Sequence, residues 1–306
     1  MKSSRKRGGA TGNVVDMREI ISVVIATRDR PEQLLACLRS LRRSAPPPDW
    51  AIEVVAVDNG AYDPAIKASA LGLAGDTFAV AFLAESRRGK AVAVNTGTAA
   101  ARGSIVAFLD DDVTVDEGWT TGVVDEFRRD SALGLLAGRV MDADPSQRGI
   151  AVSQRDEAFE LAATDQLEGL AAGCNLAVRR DVIAAVRGRD TRLGPGSGLA
   201  YEDIDFIRRV LRSGFRGRFS PRPVAFHRPG PRNRSVEYPR GRGAYYLKFI
   251  LKGDPTVARH AWWELNNLLR TIARGSGTDR TLALRTGWHL AVGAATMCGR
   301  LLRRPS

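Results

Sequence analysis

At 306 residues, with 44% hydrophobic and 26% charged side chains, the chain is long and apolar enough for one large globular domain with an appendage, which excludes a disordered or fibrous protein. The cysteines, Cys37, Cys174 and Cys298, are far apart and offer neither a disulfide framework nor zinc-ligand spacing, so a reducing, cytoplasmic setting is expected. A formal net charge of +12 calls for anionic partners: phosphates, nucleic acid or an acidic membrane surface.

Residues 1–19, rich in Lys, Arg, Ser and Gly, read as a disordered basic tail. No apolar segment follows it, so it is not a secretory signal, and no apolar run reaches the ~18 residues of a spanning helix. The β-prone run 20–26 predicts a strand buried on both faces, ending in Thr27-Arg28-Asp29-Arg30-Pro31. Pro31 suits a first helical turn, and Leu34, Leu35, Leu38 and Leu41 carry a helix to about residue 43. A second strand over 52–57 stops at Asp58-Asn59-Gly60. A helix from about Pro64, a strand over 78–83 and a small-residue helix over 91–101 follow, the last entered through Arg87-Arg88-Gly89-Lys90. The next strand, 105–109, runs into Asp110-Asp111-Asp112. This alternation predicts an α/β fold, a mostly parallel central sheet flanked by helices, with Asp58 and Asp110 facing one crevice at the strand carboxyl ends.

Three adjacent carboxylates repel one another. One reading neutralises them with Mg2+ or Mn2+, which takes one or two carboxylates plus phosphate oxygens. The other is a solvated acidic turn that caps a helix. There is no Gly-x-Gly-x-x-Gly after the first strand and no P-loop, which argues against a dinucleotide or P-loop site.

Beyond Trp119 the pattern gives a helix to about 129, a strand over 133–140 and an irregular acceptor-side excursion over 141–165. A short strand then turns near Arg180 into a helix capped by Asp181. Gly194-Pro195-Gly196-Ser197-Gly198 reads as a mobile loop leading into Tyr201-Glu202-Asp203 and a helix to about 212. A last strand over 219–226 ends at His227. Residues 207–254 hold thirteen Lys and Arg against Glu237 and Asp254 alone, and two helices are expected over 256–274 and 280–302. Trp262 and Trp263 read as packing residues, and Cys174 as a small buried side chain. The domain division is thus 1–19, a catalytic domain over 20–254 and a helical extension over 255–306. The apolar stretch 288–302, ending in Arg303-Arg304, reads either as a helix packed on the catalytic domain or as a peripheral contact with an anionic membrane face, the inner face of the cell membrane for a cytoplasmic protein.

The order of these landmarks resembles family 2 of the glycosyltransferases, which have the A-type, Rossmann-like nucleotide-sugar fold; the similarity spans residues 20 to 230. The resemblance implies a nucleoside-diphosphate sugar donor, a glycan or lipid-linked hydroxyl acceptor, and a Mg2+ or Mn2+ cofactor. It assigns the donor's base to Thr27, Arg28, Asp29, Arg30, Asp58 and Asn59. Asn95 falls in the donor-binding Gly89-to-Asn95 landmark. Asp110 faces the ribose, Asp112 holds the metal, and Asp111 is a solvated spacer. Glu202 and Asp203 supply the catalytic base, with Asp203 preferred and Glu202 left to the acceptor or the helix cap. His227 is a further metal ligand. Arg28-Asp29 replaces the usual aromatic-asparagine pair and no arginine precedes Asn95, so Arg88 and Lys90 stand as the candidates for the diphosphate. A sugar nucleotidyltransferase is the rival enzyme, although the glycine-rich arginine loop it needs after the first strand is missing. A basic binding protein is the rival of another class; nucleic acid is disfavoured because the aromatic-plus-basic strand of an RNA-binding sheet is missing.

Overall fold

The computed structural model describes residues 18–144, 153, 155–228 and 236–303. The tail expected over 1–19 lies outside them except for Arg18 and Glu19, and Glu19 already pairs with Trp50. Part of the 141–165 excursion also lies outside.

Four parallel strands form the first half of the sheet: β1 (Glu19–Thr27), β2 (Trp50–Asp58), β3 (Phe78–Ala84) and β4 (Ile105–Asp110), in the order β3-β2-β1-β4. Their crossovers are α1 (Pro31–Arg43), α2 (Pro64–Leu71) and α3 (Lys90–Ala100). Successive strand residues feed opposite cores, as a period of two requires. Ile21, Val23 and Ile25 pack with Leu34 and Leu38 of α1, whereas Val24 packs with Ala93 and Val94 of α3. Both faces are covered, so the strand sequences read as unbroken apolar runs.

The second half departs from a parallel plan. β5 (Val113–Val115), α4 (Trp119–Arg129), β6 (Leu133–Asp142), β7 (Phe159–Leu161), β8 (Asn175–Arg179), α5 (Arg180–Ala185), α6 (Glu202–Arg212) and β9 (Arg216–His227) follow in turn. The sheet continues β4-β8-β6-β9-β5, with β7 also on β9. β8 is antiparallel to both β4 and β6, and only β6–β9 is parallel here, which makes the whole sheet mixed. The stretch between β6 and β8 holds no crossover helix among its described residues, and a strand that returns without one runs antiparallel. Asp181 is not the cap of α5. Arg179 occupies that position, and Asp181 sits in the first turn, accepting from Val182 N at 2.8 Å.

Three helices close the chain: α7 (Glu237–Ile250), α8 (Pro255–Arg274) and α9 (Gly277–Leu302). The sequence pattern foresaw the last two but not α7. Tertiary contacts hold α7 against α6: buried Lys248 meets Asp190 at 2.6 Å and also Asp205, and Arg208 Nε donates to Tyr245 Oη at 2.8 Å. α7 and α9 cross backbone to backbone. Gly243 faces the main chain of Leu290 and Gly293 faces that of Arg240, with no room for a Cβ at either. Trp262 and Trp263, expected to pack, are instead exposed.

Candidate active site

Strand register assembles the site. Thr27 pairs with Asp58, and Ala26 with Asp110, so three strand ends open into one cleft of about 270 Å3. Thr27, Arg28, Arg30 and Asn59 line one side and Asp110, Asp111 and Asp112 another. Arg88 and Lys90 enter from the start of α3, and Pro195, Gly196 and Glu237 complete the wall. The glycine loop expected to be mobile is tied down in three places. Lys90 N donates to Pro195 O at 3.0 Å, Gly194 N to Leu199 O at 2.5 Å, and Arg300 Nη2 of α9 to Ser197 O at 2.7 Å. Gly194, Gly196 and Gly198 all have positive φ, so its shape depends on glycine.

Several expected ligands also build the frame. Asn59 donates to Glu85 O and Arg87 O and accepts from Gly89 N, binding the end of β2 to the turn before α3. Asp58 is buried and accepts from Gly60 N, and Asp29, at φ 55°, accepts from Ala61 N. Asn95 does not line the cleft. Its amide bonds both the N–H and the carbonyl of Arg189, at 2.8 and 2.9 Å, which leaves it holding the 187–189 turn.

The three aspartates have distinct surroundings. Lys90 Nζ lies 2.6 Å from Asp110, and although burial works against ionisation, that ammonium holds Asp110 below the usual carboxylate range. Asp111 is not the solvated spacer expected. It is 6% exposed, accepts from Thr27 Oγ1 at 2.9 Å and from Arg30 Nη1 at 3.1 Å, and burial pushes its carboxyl up despite both. Arg30 Nη1 also donates to Asp112 Oδ2 at 2.9 Å. Two internal cations therefore relieve much of the repulsion that a bound cation was invoked to relieve.

One atom is left over. Asp112 Oδ1 is buried with no hydrogen-bond partner among the described residues and lies 3.6 Å from His227 Nε2. The β5–β9 pairing of Val113 with His227 brings the imidazole there. That gap is too long for a hydrogen bond.

The acid pair of α6 divides. Glu202 is 4% exposed and 3.7 Å from Lys90; burial, with Asp203 beside it, pushes its carboxyl above the ordinary range. It neither caps α6 nor faces outward. Asp203 is partly exposed, and its two oxygens accept from Gly173 N at 2.9 Å and Ile204 N at 2.8 Å. Sequence reasoning missed Arg189, whose buried guanidinium lies over Phe108 and Phe206 at 4.9 and 5.3 Å and adds positive field at Asp110 and Glu202. It also missed Glu237 at the cleft. Neither carries a local signal, because each reaches the site through long-range packing.

The family model for glycosyl transferase family 2 matches residues 22–187. The pre-mycofactocin glycosyltransferase of Mycobacterium tuberculosis is 27% identical over 217 residues, covering 68% of this chain and 42% of that protein. The chain thus spans less than half the length of that relative. The succinoglycan biosynthesis protein ExoM of Rhizobium meliloti is 29% identical over 217 residues, covering 70% of this chain and 68% of its own. Among solved structures, a mannosyltransferase from Pyrobaculum calidifontis in complex with GDP-Man and Mn2+ is similar at a TM-score of 0.61. It has 18% identity, over 92% of this chain and 87% of that one, a likeness of fold.

Proposed function

The chain belongs to glycosyl transferase family 2, and from that premise we propose an inverting, metal-dependent sugar transfer. The donor is a nucleoside-diphosphate sugar, and the acceptor is a hydroxyl on a glycan, a lipid-linked carrier or a secondary metabolite. The observation that carries the reading is Asp112 Oδ1, without a hydrogen-bond partner among the described residues and 3.6 Å from His227 Nε2, at the wall of a cleft lined by Arg30, Arg88 and Lys90. A carboxylate oxygen and an imidazole nitrogen suit Mn2+ well and Mg2+ adequately. Two protein ligands leave coordination positions for phosphate oxygens. Among the described residues no group of three or more His, Cys, Asp or Glu side chains is placed to hold a metal, so an ion held by this pair would need its substrate's oxygens to complete it. That ion would neutralise the diphosphate and stabilise the charge that develops on the leaving phosphate.

The chain's own residues supply the rest. The turn Thr27 to Arg30, with Asp58 and Asn59, forms the side of the cleft assigned to the nucleoside. Lys90, now shared between Asp110 and Glu202, is placed to turn toward a diphosphate, and Arg88 adds a second positive charge at the rim. Asp203, the less buried member of its pair, is the general base that takes the acceptor's proton as the hydroxyl attacks. Glu202 then serves to hold Lys90. No second carboxylate is assigned as a nucleophile, so a single displacement with inversion follows.

The test is hydrolysis and transfer from UDP-, GDP- and dTDP-sugars with Mn2+, Mg2+ or EDTA. Release of a nucleoside diphosphate that needs the metal supports the proposal, as does an inverted anomeric product. Donor consumed only with pyrophosphate, to give a nucleoside triphosphate, would identify the nucleotidyltransferase instead. Turnover undiminished in EDTA would remove the metal.

A further inference from the structure

The α8–α9 hairpin leaves an unusual surface bare. Trp262, Leu265 and Leu269 on α8 and Leu282, Leu284 and Trp288 on α9 are each more than half exposed. The α8 trio recurs at i, i+3 and i+7, one face of a helix. On α9 the same holds for Leu284, Trp288, Ala291, Ala295 and Leu302, all exposed, and no Lys, Arg, Asp or Glu occurs from Thr286 to Gly299.

The charge around this surface is positive on balance. Arg270, Arg274, Arg280 and Arg285 are exposed around the turn of the hairpin. The acids of 255–306 are Glu264 and Asp279, and both have internal partners. Glu264 meets Arg242 and Tyr246, each at 2.6 Å, and Asp279 closes the capping box of α9 with Ser276. A second copy of the chain would bring these arginines against their own images across a two-fold axis, which disfavours self-association. No helix among the described residues is long and apolar enough to cross a membrane. Indole rings beside arginines, on a helix that cannot span, are the chemistry of a bilayer interface.

We propose that the outer face of the α8–α9 hairpin docks on an anionic lipid bilayer, with Trp262 and Trp288 at the boundary between headgroups and acyl chains and the arginines on the phosphates. This inference does not depend on the sugar-transfer reading. The surface is coupled to the cleft all the same, because α9 reaches the glycine loop through Arg300 and crosses α7 at Gly293.

The test is co-sedimentation of the full chain with vesicles of phosphatidylcholine alone or mixed with phosphatidylglycerol, at low and high salt. Binding should require phosphatidylglycerol and weaken with salt. It should fall roughly fivefold for each arginine replaced in Arg270→Gln, Arg274→Gln and Arg280→Gln. Trp262→Ser with Trp288→Ser should abolish it while donor hydrolysis and circular dichroism stay unchanged. No binding to phosphatidylglycerol vesicles overturns the proposal, as does binding indifferent to salt or to these variants. A dimer in light scattering that the tryptophan double variant dissolves would assign the face to a second copy and overturn it too.

Discussion

Asp112 and Asp203 carry the two sharpest expectations, and their surroundings say how each should fail. Asp112 keeps Oδ2 on Arg30 while Oδ1 has no partner, so Asp112→Asn removes the orphan's charge without emptying a packed position. Transfer should be lost and thermal stability lowered by about 1–2 kcal/mol at most, since the amide oxygen still accepts from Arg30 and only the charge of that bond is removed. Wild-type turnover of Asp112→Asn in EDTA would sink the metal assignment. His227→Ala should weaken Mn2+ binding, read by electron paramagnetic resonance, and an unchanged affinity would exclude the imidazole. Asp203→Asn should lower kcat by roughly 10²-fold or more with donor affinity kept, the loss expected for a general base. Glu202→Gln should act differently. It frees Lys90 from one of its two carboxylates, so it should change donor KM more than kcat. The reverse pattern, with Glu202→Gln inactive and Asp203→Asn near normal, would exchange the roles.

At the scale of elements, legibility followed locality. β1, β2 and β4 were plain because strands covered on both faces carry unbroken apolar runs, and the acids closing β2 and β4 stand next to those runs in sequence. α7 was invisible because its sequence, with Pro239, Gly241 and Gly243 among basic residues, has poor helix propensity of its own. Packing makes it a helix, through Lys248 on Asp190 and Asp205 and through the glycine crossing with α9. The roles of Asp111 and Asn95 were hidden for the same reason, since their partners lie more than eighty residues away. Lys248→Met should therefore cost about 1–3 kcal/mol, by leaving buried Asp190 and Asp205 with Arg192 and Arg209 as their remaining cations, measured by urea unfolding. A loss below about 1 kcal/mol would show that α7 is held by apolar contacts alone.

For the whole molecule, acid is the condition that should undo the fold. The Arg87 guanidinium, then Thr96 and the Arg87 backbone N–H, hold Glu85 down at about 2. Burial opposes ionisation at Asp190, but Arg192 and Lys248 together keep its carboxyl below the usual range. Both depressed groups stabilise the fold above the unfolded-chain values of ~4 and release that contribution as pH falls through the folded ones. The contribution of these two groups should thus be level above about pH 5 and fall away between about pH 4 and 2, followed by urea midpoints across that range. Glu85→Gln should flatten part of the drop, and an unaltered profile would place the acid sensitivity elsewhere. The crossing of α7 and α9 has a further consequence at this scale. Two helices in main-chain contact have few side-chain rotamers between them through which to yield, which favours a fixed spacing between α9 and the α7 side of the cleft. If the proposed bilayer contact holds, the cleft would stand at a set height above the lipid, and a tethered acceptor too short to climb that far would not reach it. Such a scaffold would measure length, selecting among acceptors by reach before any sugar is recognised.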